Sequence, residues 1–389
     1  MAIGHLNWDQ LLCQAKSLSD HGGLSVPANA SRIEDLPISG PEEILHITKA
    51  IAKTNGAILN SSGGTTGKPK LAYTPFHQAM ERLLQHWKPL GPGSVLLNLF
   101  NPGRLWGAHY FIQTLCEKSK AITVPAGPFT PEEVHLWIET FQEIGINTLA
   151  GAPTGLADFA QGLLDTKSKL DINTIIWMAE PWTESKFKTV RNAFPKAGFW
   201  CDYGSVETNS IAVNGPECDR DTYHLLEDQL IEPDDHGALL TRIGDGWTVP
   251  LIRYRLGDKI KESNCRCGRS DALIIEGRAD DSVSLLSALV STSQVIKLAE
   301  QVPGVEEVQL LLTRSKKETS IKAASVFILT FTGSAEPEKV RARILEGVHN
   351  LASVVHQYPD SFLSRRVQML RRVKRTNKVP AVIWEKSEQ

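Results

Sequence analysis

The ten residues from Ser61 to Lys70 read SSGGTTGKPK and hold three glycines, four hydroxyl side chains and two lysines. Glycines let backbone N–H groups converge on one anion, and serine and threonine hydroxyls add donors, so such a string suits a phosphate cradle. Two kinds of cradle compete. A Walker A loop needs a glycine five places before Gly67, a hydroxyl after Lys68 and a helix running straight on. Ser62 stands at the first of these places and Pro69 at the second. Proline also disfavours helical geometry at Lys68, so the loop is predicted to lead into an extended segment, LAYTP. A plain surface loop is the bland alternative, and the number of glycine and hydroxyl positions in register argues against it.

Outward from this loop, short apolar runs alternate with helix-patterned segments. SVLLNLF (94–100), AITVP (121–125), NTLAGA (147–152) and TIIWMA (174–179) read as strands. PEEVHLWIETFQEIG (131–145) places Val134, Ile138, Phe141 and Ile144 on one face, and TESKFKTVRNAF (183–194) starts at a capping threonine, so both read as helices. Such alternation predicts an α/β core with mostly parallel sheet. ALLTRI (238–243), TVPLIRY (248–254) and ALIIEG (272–277) follow without long helices, which predicts a small antiparallel, barrel-like part. Past GRADD (277–281) come a helix at 292–302, two strands, a long helix at 336–355 and a strand RRVQMLRRV (365–373). The expected organisation is a large domain over 1–279, sheets flanked by helices plus the barrel-like part, and a smaller α+β domain over 280–389.

Composition bounds the function. The chain has 389 residues, 41% hydrophobic and 22% charged, with a net charge of -2. That balance argues against a nucleic-acid binder, and no aromatic platform accompanies the basic run RRVKRTNK. No run of about 18 apolar residues exists, and the first residues lack a basic segment followed by an apolar one, so the expectation is a cytoplasmic protein without a membrane partner. Six cysteines are too few for a disulfide scaffold in so long a chain. Four potential ligands stand out among them and the histidines. Cys218 precedes His224 by six positions, and Cys265 and Cys267 flank one arginine, a set of the kind zinc prefers in closed structural sites. Buried thiols acting as small hydrophobes are the alternative.

Five motifs in order across residues 61–378 resemble those of the adenylate-forming superfamily, which includes acyl-CoA synthetases, peptide-synthetase adenylation domains and luciferases. They are the phosphate loop, Tyr203-Gly204-Ser205-Val206-Glu207, Tyr254-Arg255-Leu256-Gly257-Asp258, Gly277-Arg278-Ala279-Asp280-Asp281, and Lys378. GAHY (107–110), AEPWTE (179–184) and CRCGR (265–269) are similar to the phenylacetate-CoA ligase branch, whose substrates are aryl acids. The first 60 residues are shorter than in that branch. A shortened chain of this type also resembles adenylating proteins of phenazine antibiotic (griseoluteic acid) biosynthesis.

The resemblance implies ATP, magnesium and an aryl acid as ligands. Ser62, Gly63, Gly64, Thr65, Thr66, Gly67 and Lys68 would hold the phosphates, with Thr65 and Thr66 taking part in catalysis. Glu207 would ligate magnesium, an oxygen ligand for a hard cation. Tyr203 would stack on adenine beside Ala179, Glu180 and Pro181, Asp258 would accept from the ribose hydroxyls, and Arg278 would lie near ribose or phosphate. Trp106, His109, Tyr110 and Gly204 would line the acid pocket. Lys378 would come from the mobile smaller domain, turning about Asp280 or Asp281.

Each role has a plainer rival: Asp258 as a salt-bridged turn residue, Glu207 as a helix cap, His109 as a satisfied core residue, Lys378 as part of a solvated tail. Two departures from the family pattern bear on turnover. Val206 replaces a hydroxyl residue, and Leu286-Ser287 replaces a basic or small residue followed by glycine in the pantetheine-lining loop, which predicts a less permissive backbone there. The acyl-adenylate is expected to pass to CoA, another thiol, an amine, or a downstream acceptor enzyme or carrier, and a homodimer is compatible with the resemblance. The rival from a different class is a degenerate adenylation fold that binds an aryl ligand or AMP without turnover.

Overall fold

The computed structural model describes residues 2–20, 24–62, 70–103, 105–179, 182, 184–243, 247, 249–279, 282–286, 288–313, 323–371 and 381–385. The chain divides into two compact units, one comprising mainly Met1–Ser62, Lys70–Pro181 and Lys186–Ala279, the other mainly Asp280–Gln389.

The first unit is built on a nine-stranded sheet. One half holds Ile122–Pro125, Val95–Asn98, Thr148–Gly151, Thr174–Trp177 and Gly198–Ser205, paired in parallel with one another. Leu96, Leu97, Leu149, Ala150, Ile175 and Ile176 are buried here, which explains why these strands read as continuous apolar runs: helices cover both faces. The other half runs antiparallel through Asn209–Asn214, Thr222–Leu225, Ala272–Arg278 and Asp258–Glu262. The expected small antiparallel part is a separate four-stranded sheet of Ile3–Gly4, Gln229–Glu232, Leu239–Arg242 and Leu251–Arg255. Ala272–Arg278, read from sequence with that part, instead joins the large sheet.

Three local expectations need correction. The segment 131–145 is two short helices, Pro131–Val134 and Ile138–Glu143; Val134, Ile138 and Phe141 are buried as predicted, whereas Ile144 is 41% exposed. The helix expected over 336–355 divides into Pro337–Gly347 and His349–Gln357 at Val348, whose ψ of 81° is not helical. Gly347 lies so close to Leu298 that a β-carbon would stand 2.5 Å from its side chain. The strand placed at 365–373 is Phe362–Arg366, because parallel pairing with Phe327–Phe331 buries Phe362, while Met369 is 69% exposed.

The second unit is the predicted α+β body. Its four-stranded sheet runs Phe362–Arg366, Val326–Gly333, Val305–Thr313, Val382–Glu385. Leu310, Leu312, Phe327, Leu329 and Phe331 meet Val295, Val340, Ile344 and Leu351 of the helices in one core. Leu286, in the turn after Ser282–Leu285, takes φ +51°. Leucine takes this left-handed geometry at some conformational cost, and Ser287, which stands in place of the glycine, lies outside the described residues. Among the described residues no helix is long and apolar enough to cross a membrane.

Candidate active site and a cysteine–histidine cluster

The hairpin that carries the opening motif is explicit on both sides of it. Ile58–Ser62 pairs antiparallel with Lys70–Thr74, so the chain leaves the loop as a strand and not as the helix a Walker A loop requires. Ser61 N–H donates to Leu105 O at 2.8 Å, and Gly107 packs so closely on Asn60 that a β-carbon there would lie 3.0 Å from its amide. The strand entering the loop is thereby tied to the segment bearing Trp106, His109 and Tyr110.

His109 lies in the helix Ala108–Ser119, not simply after a strand, and is buried. Its Nδ1 is 2.8 Å from Phe100 O; a carbonyl only accepts, so Nδ1 carries the proton. Tyr110 hydroxyl donates to Pro102 O at 2.8 Å, and Trp106 meets Phe100 edge-on at 5.5 Å. His109 and Tyr110 are thus each held by a backbone carbonyl and meet edge-on at 5.7 Å, while Trp106 packs on Phe100, whose carbonyl His109 engages.

The two tyrosine motifs cross-link reciprocally. Tyr203, near the end of Gly198–Ser205, donates its hydroxyl to Asp258 Oδ2 at 2.7 Å. Tyr254 donates to Glu207 Oε1 at 3.4 Å, a long contact between two buried side chains. Glu207 sits in a turn between two strands, so it caps no helix. That turn is fixed by mutual bonds: Ser205 N–H to Thr208 Oγ1 at 3.1 Å and Thr208 N–H to Ser205 Oγ at 3.2 Å. Asp258 opens the edge strand opposite Arg278. The motif arginine, Arg255, pairs with Asp234 at 2.8 Å and leaves Asp258 to the tyrosine. Gly204 answers a backbone need: a β-carbon would stand 2.0 Å from Asn209 O.

Three features here escaped sequence reasoning. Arg242 is fully buried, donates to the carbonyls of Ser210 (3.0 Å) and Thr208, and lies 4.9 Å over the Trp247 ring. It grips the turn that presents Glu207; the one available signal was an arginine in the apolar strand ALLTRI. Burial pushes Arg242 down to about 9, with Arg82 adding to the effect. Asp202, beside Tyr203, is buried, and desolvation raises its carboxyl to about 7 against a smaller opposing effect of Ser210. Ala179 adopts φ +79°, rare for a residue with a β-carbon.

Gly63, Gly64, Thr65, Thr66, Gly67, Lys68, Glu180, Pro181, Asp280, Asp281 and Lys378 lie outside the described residues, as do the side chains of Ser62 and Arg278.

Cys218, His224, Cys265 and Cys267 converge: their ligand atoms all lie within 4.8 Å of one another. Cys218 Sγ is 3.8 Å from Cys267 Sγ, and Cys267 Sγ is 3.2 Å from His224 Nε2. His224 Nδ1 donates to Ser270 O at 3.0 Å, and Asp219 N–H points at Cys265 Sγ at 3.3 Å.

The profile of the AMP-binding enzyme family matches residues 11–258. Indoleacetate–lysine synthetase of Pseudomonas savastanoi is 23% identical over 274 residues, 69% of this chain and 66% of that enzyme, so the match spans just under two thirds of its length. A crystal structure of 2-hydroxyisobutyryl-CoA ligase with 2-HIB-AMP and CoA superposes with a TM-score of 0.67 at 16% identity, covering 97% of this chain and 88% of that one. The amide bond synthetase McbA from Marinactinospora thermotolerans gives 0.57 at 15% identity over 82% and 66%. At such identities the structural likeness is one of fold, and the family rests on the profile match. The chain belongs to the AMP-binding enzyme family, the adenylate-forming ligases.

Proposed function

We propose that this protein activates an aromatic or heteroaromatic carboxylic acid with ATP, forming an acyl-adenylate and releasing pyrophosphate. The observation that carries the reading is the reciprocal pair Tyr203–Asp258 and Tyr254–Glu207, which brings two carboxylates from distant motifs to the C-terminal end of one strand. Asp258 accepts from the ribose hydroxyls while Tyr203 offers its ring to the adenine and holds the carboxylate in place. Glu207, buried and fixed by Tyr254 and by the turn that Arg242 grips, would hold a single hard cation. Magnesium, when bound, would neutralise charge on the ATP phosphates. The glycine-rich loop 63–67 supplies donors for the departing pyrophosphate, the kind of stabilisation that lowers such a barrier.

The aromatic rings of Trp106, His109 and Tyr110, on the segment tied to the strand entering the loop, favour a flat acid, in keeping with the phenylacetate-CoA ligase resemblance. In this reading residues 1–279 bind ATP and acid, and residues 280–389 form a lid that turns about Asp280 or Asp281 and delivers Lys378. The acceptor is CoA, as a relative's complex suggests, or an amine, as in the name of indoleacetate–lysine synthetase. Leu286-Ser287, in place of a basic or small residue followed by glycine, weighs against thioester formation more than against adenylation. Incubation with ATP and a panel of aryl acids, read by mass spectrometry, tests the proposal. The expected product is an acyl-adenylate with one acid of the panel, consumed on adding CoA or lysine. AMP binding without product for any acid would support the degenerate, non-catalytic reading.

A further inference from the structure

We infer that Cys218, His224, Cys265 and Cys267 bind one zinc ion, and that this ion tethers the far end of the hairpin whose near end carries Asp258. Zinc bound to thiolates at about 2.3 Å in a tetrahedron sets the sulfurs about 3.8 Å apart. Cys218 and Cys267 stand at 3.8 Å, far outside the roughly 2.05 Å of a disulfide. The fourth ligand is oriented as a zinc histidine usually is, with Nδ1 donating to a backbone carbonyl and Nε2 turned to the cluster. The backbone supports the thiolates too: Asp219 N–H faces Cys265 Sγ, and Gly268, at φ +77°, closes the Cys265–Gly268 turn. Binding Zn²⁺ exchanges three thiol protons for the metal, and with four protein ligands no position remains for a reacting water, so the site is structural.

The tether follows from the register. Asp258–Glu262 is the edge strand of the nine-stranded sheet; its ladder partner is Ala272–Arg278, and beyond that ladder Asp258 O accepts from Ala238 N–H at 2.8 Å. Its two ends differ. At the open end Asp258 faces Arg278, and at the closed end the turn bears Cys265 and Cys267. Cys218 lies in the turn joining Asn209–Asn214 to Thr222–Leu225, and His224 lies on Thr222–Leu225; both strands are interior to the sheet. One ion therefore pins the edge hairpin to inner strands. An edge strand with a ladder on one side is prone to fraying, and the carboxylate assigned to the ribose sits on it. This second half of the inference rests on the adenylation reading; the metal site does not.

The test uses the full chain purified without chelator. Elemental analysis is expected to give about one zinc per chain, and cobalt substitution should produce the visible absorption of a tetrahedral thiolate site. Wild-type protein with no zinc, no cobalt uptake and freely reactive thiols would overturn the site. Cys267→Ser should lose the metal, and chelator-stripped wild type serves the same purpose if that variant does not fold. Hydrogen exchange across 258–262 should then rise about tenfold, while Thr148–Gly151 stays protected. Zinc present but exchange unchanged on stripping would overturn the tether alone. An effect on exchange without an effect on AMP affinity would instead count against the role of Asp258 in ribose binding.

Discussion

The two halves of the large sheet are made differently and do different work. In the parallel half the inner strands Val95–Asn98, Thr148–Gly151 and Thr174–Trp177 are largely apolar and buried, while Ile122–Pro125 lies at the exposed edge. The antiparallel half carries Tyr203, Asp258, Arg278 and the Cys/His cluster. Gly198–Ser205 belongs to both, parallel to Thr174–Trp177 and antiparallel to Asn209–Asn214. Its C-terminal end, where Tyr203, Gly204 and Ser205 emerge, is where the sheet changes direction, and ligand crevices of open α/β sheets form at such switch points. The parallel half carries much of the buried apolar core, and the antiparallel half carries the residues proposed for adenylation.

That division can be broken by substitution. Leu149→Ala, in the fully buried strand Thr148–Gly151, should cost about 2–5 kcal/mol in denaturant unfolding through lost burial and a cavity. It should leave the ATP KM of the folded fraction unchanged; a shifted KM would mean the halves are not separable.

Asp202 is a buried polar residue on the switch strand itself. Its folded pKa of about 7 lies above the ordinary 3.8, so the folded chain keeps a proton that the unfolded chain has lost. Stability is then fully present below pH 3.8 and is lost as pH rises through about 7. At about 1.4 kcal/mol per pH unit the gap corresponds to about 4 kcal/mol as an upper bound. Asp202→Asn should therefore stabilise the protein at pH 8 and remove this pH dependence. Equal stability of both proteins at pH 8 would refute the assignment.

The smallest effect falls on the tyrosine contact. Tyr203→Phe keeps the ring and removes the hydroxyl that holds Asp258 at 2.7 Å. A hydrogen bond to a charged group contributes about 1.5–3 kcal/mol at most, less for an exposed one, so a rise of about three- to tenfold in ATP KM is expected, with stability changed by less than about 1 kcal/mol. A KM unaltered within error would show that Asp258 needs no support.

What the sequence disclosed, and what it hid, follows the same line. Parallel strands are legible because burial on both faces writes them as unbroken runs such as TIIW and TLAG. The extended exit from the phosphate loop was legible through Pro69, and the cluster of Cys218, His224, Cys265 and Cys267 through ligand spacing. Long-range pairing leaves little local trace. Ile3–Gly4 forms a strand by pairing with Leu230 and Ile231, and ALIIEG joins the large sheet because Tyr223 and His224 lie opposite it. Nothing in ALLTRI says that Arg242 reaches the carbonyls beneath Glu207, since its partners are 32 and 34 residues away. The split at Val348 was hidden because the helical periodicity of 336–355 continues across it.

In the proposed function Glu207 and Asp258 serve an adenylation site for an aryl acid. Acid-dependent ATP–pyrophosphate exchange tests it most directly, run on the wild type and on Glu207→Gln across a panel of aryl acids. Exchange stimulated by at least one acid, and lowered about a hundredfold or more in the variant, is the predicted result, as expected for loss of a charge that stabilises the transition state. Exchange with no acid of the panel, or exchange by Glu207→Gln at the wild-type rate, would contradict it.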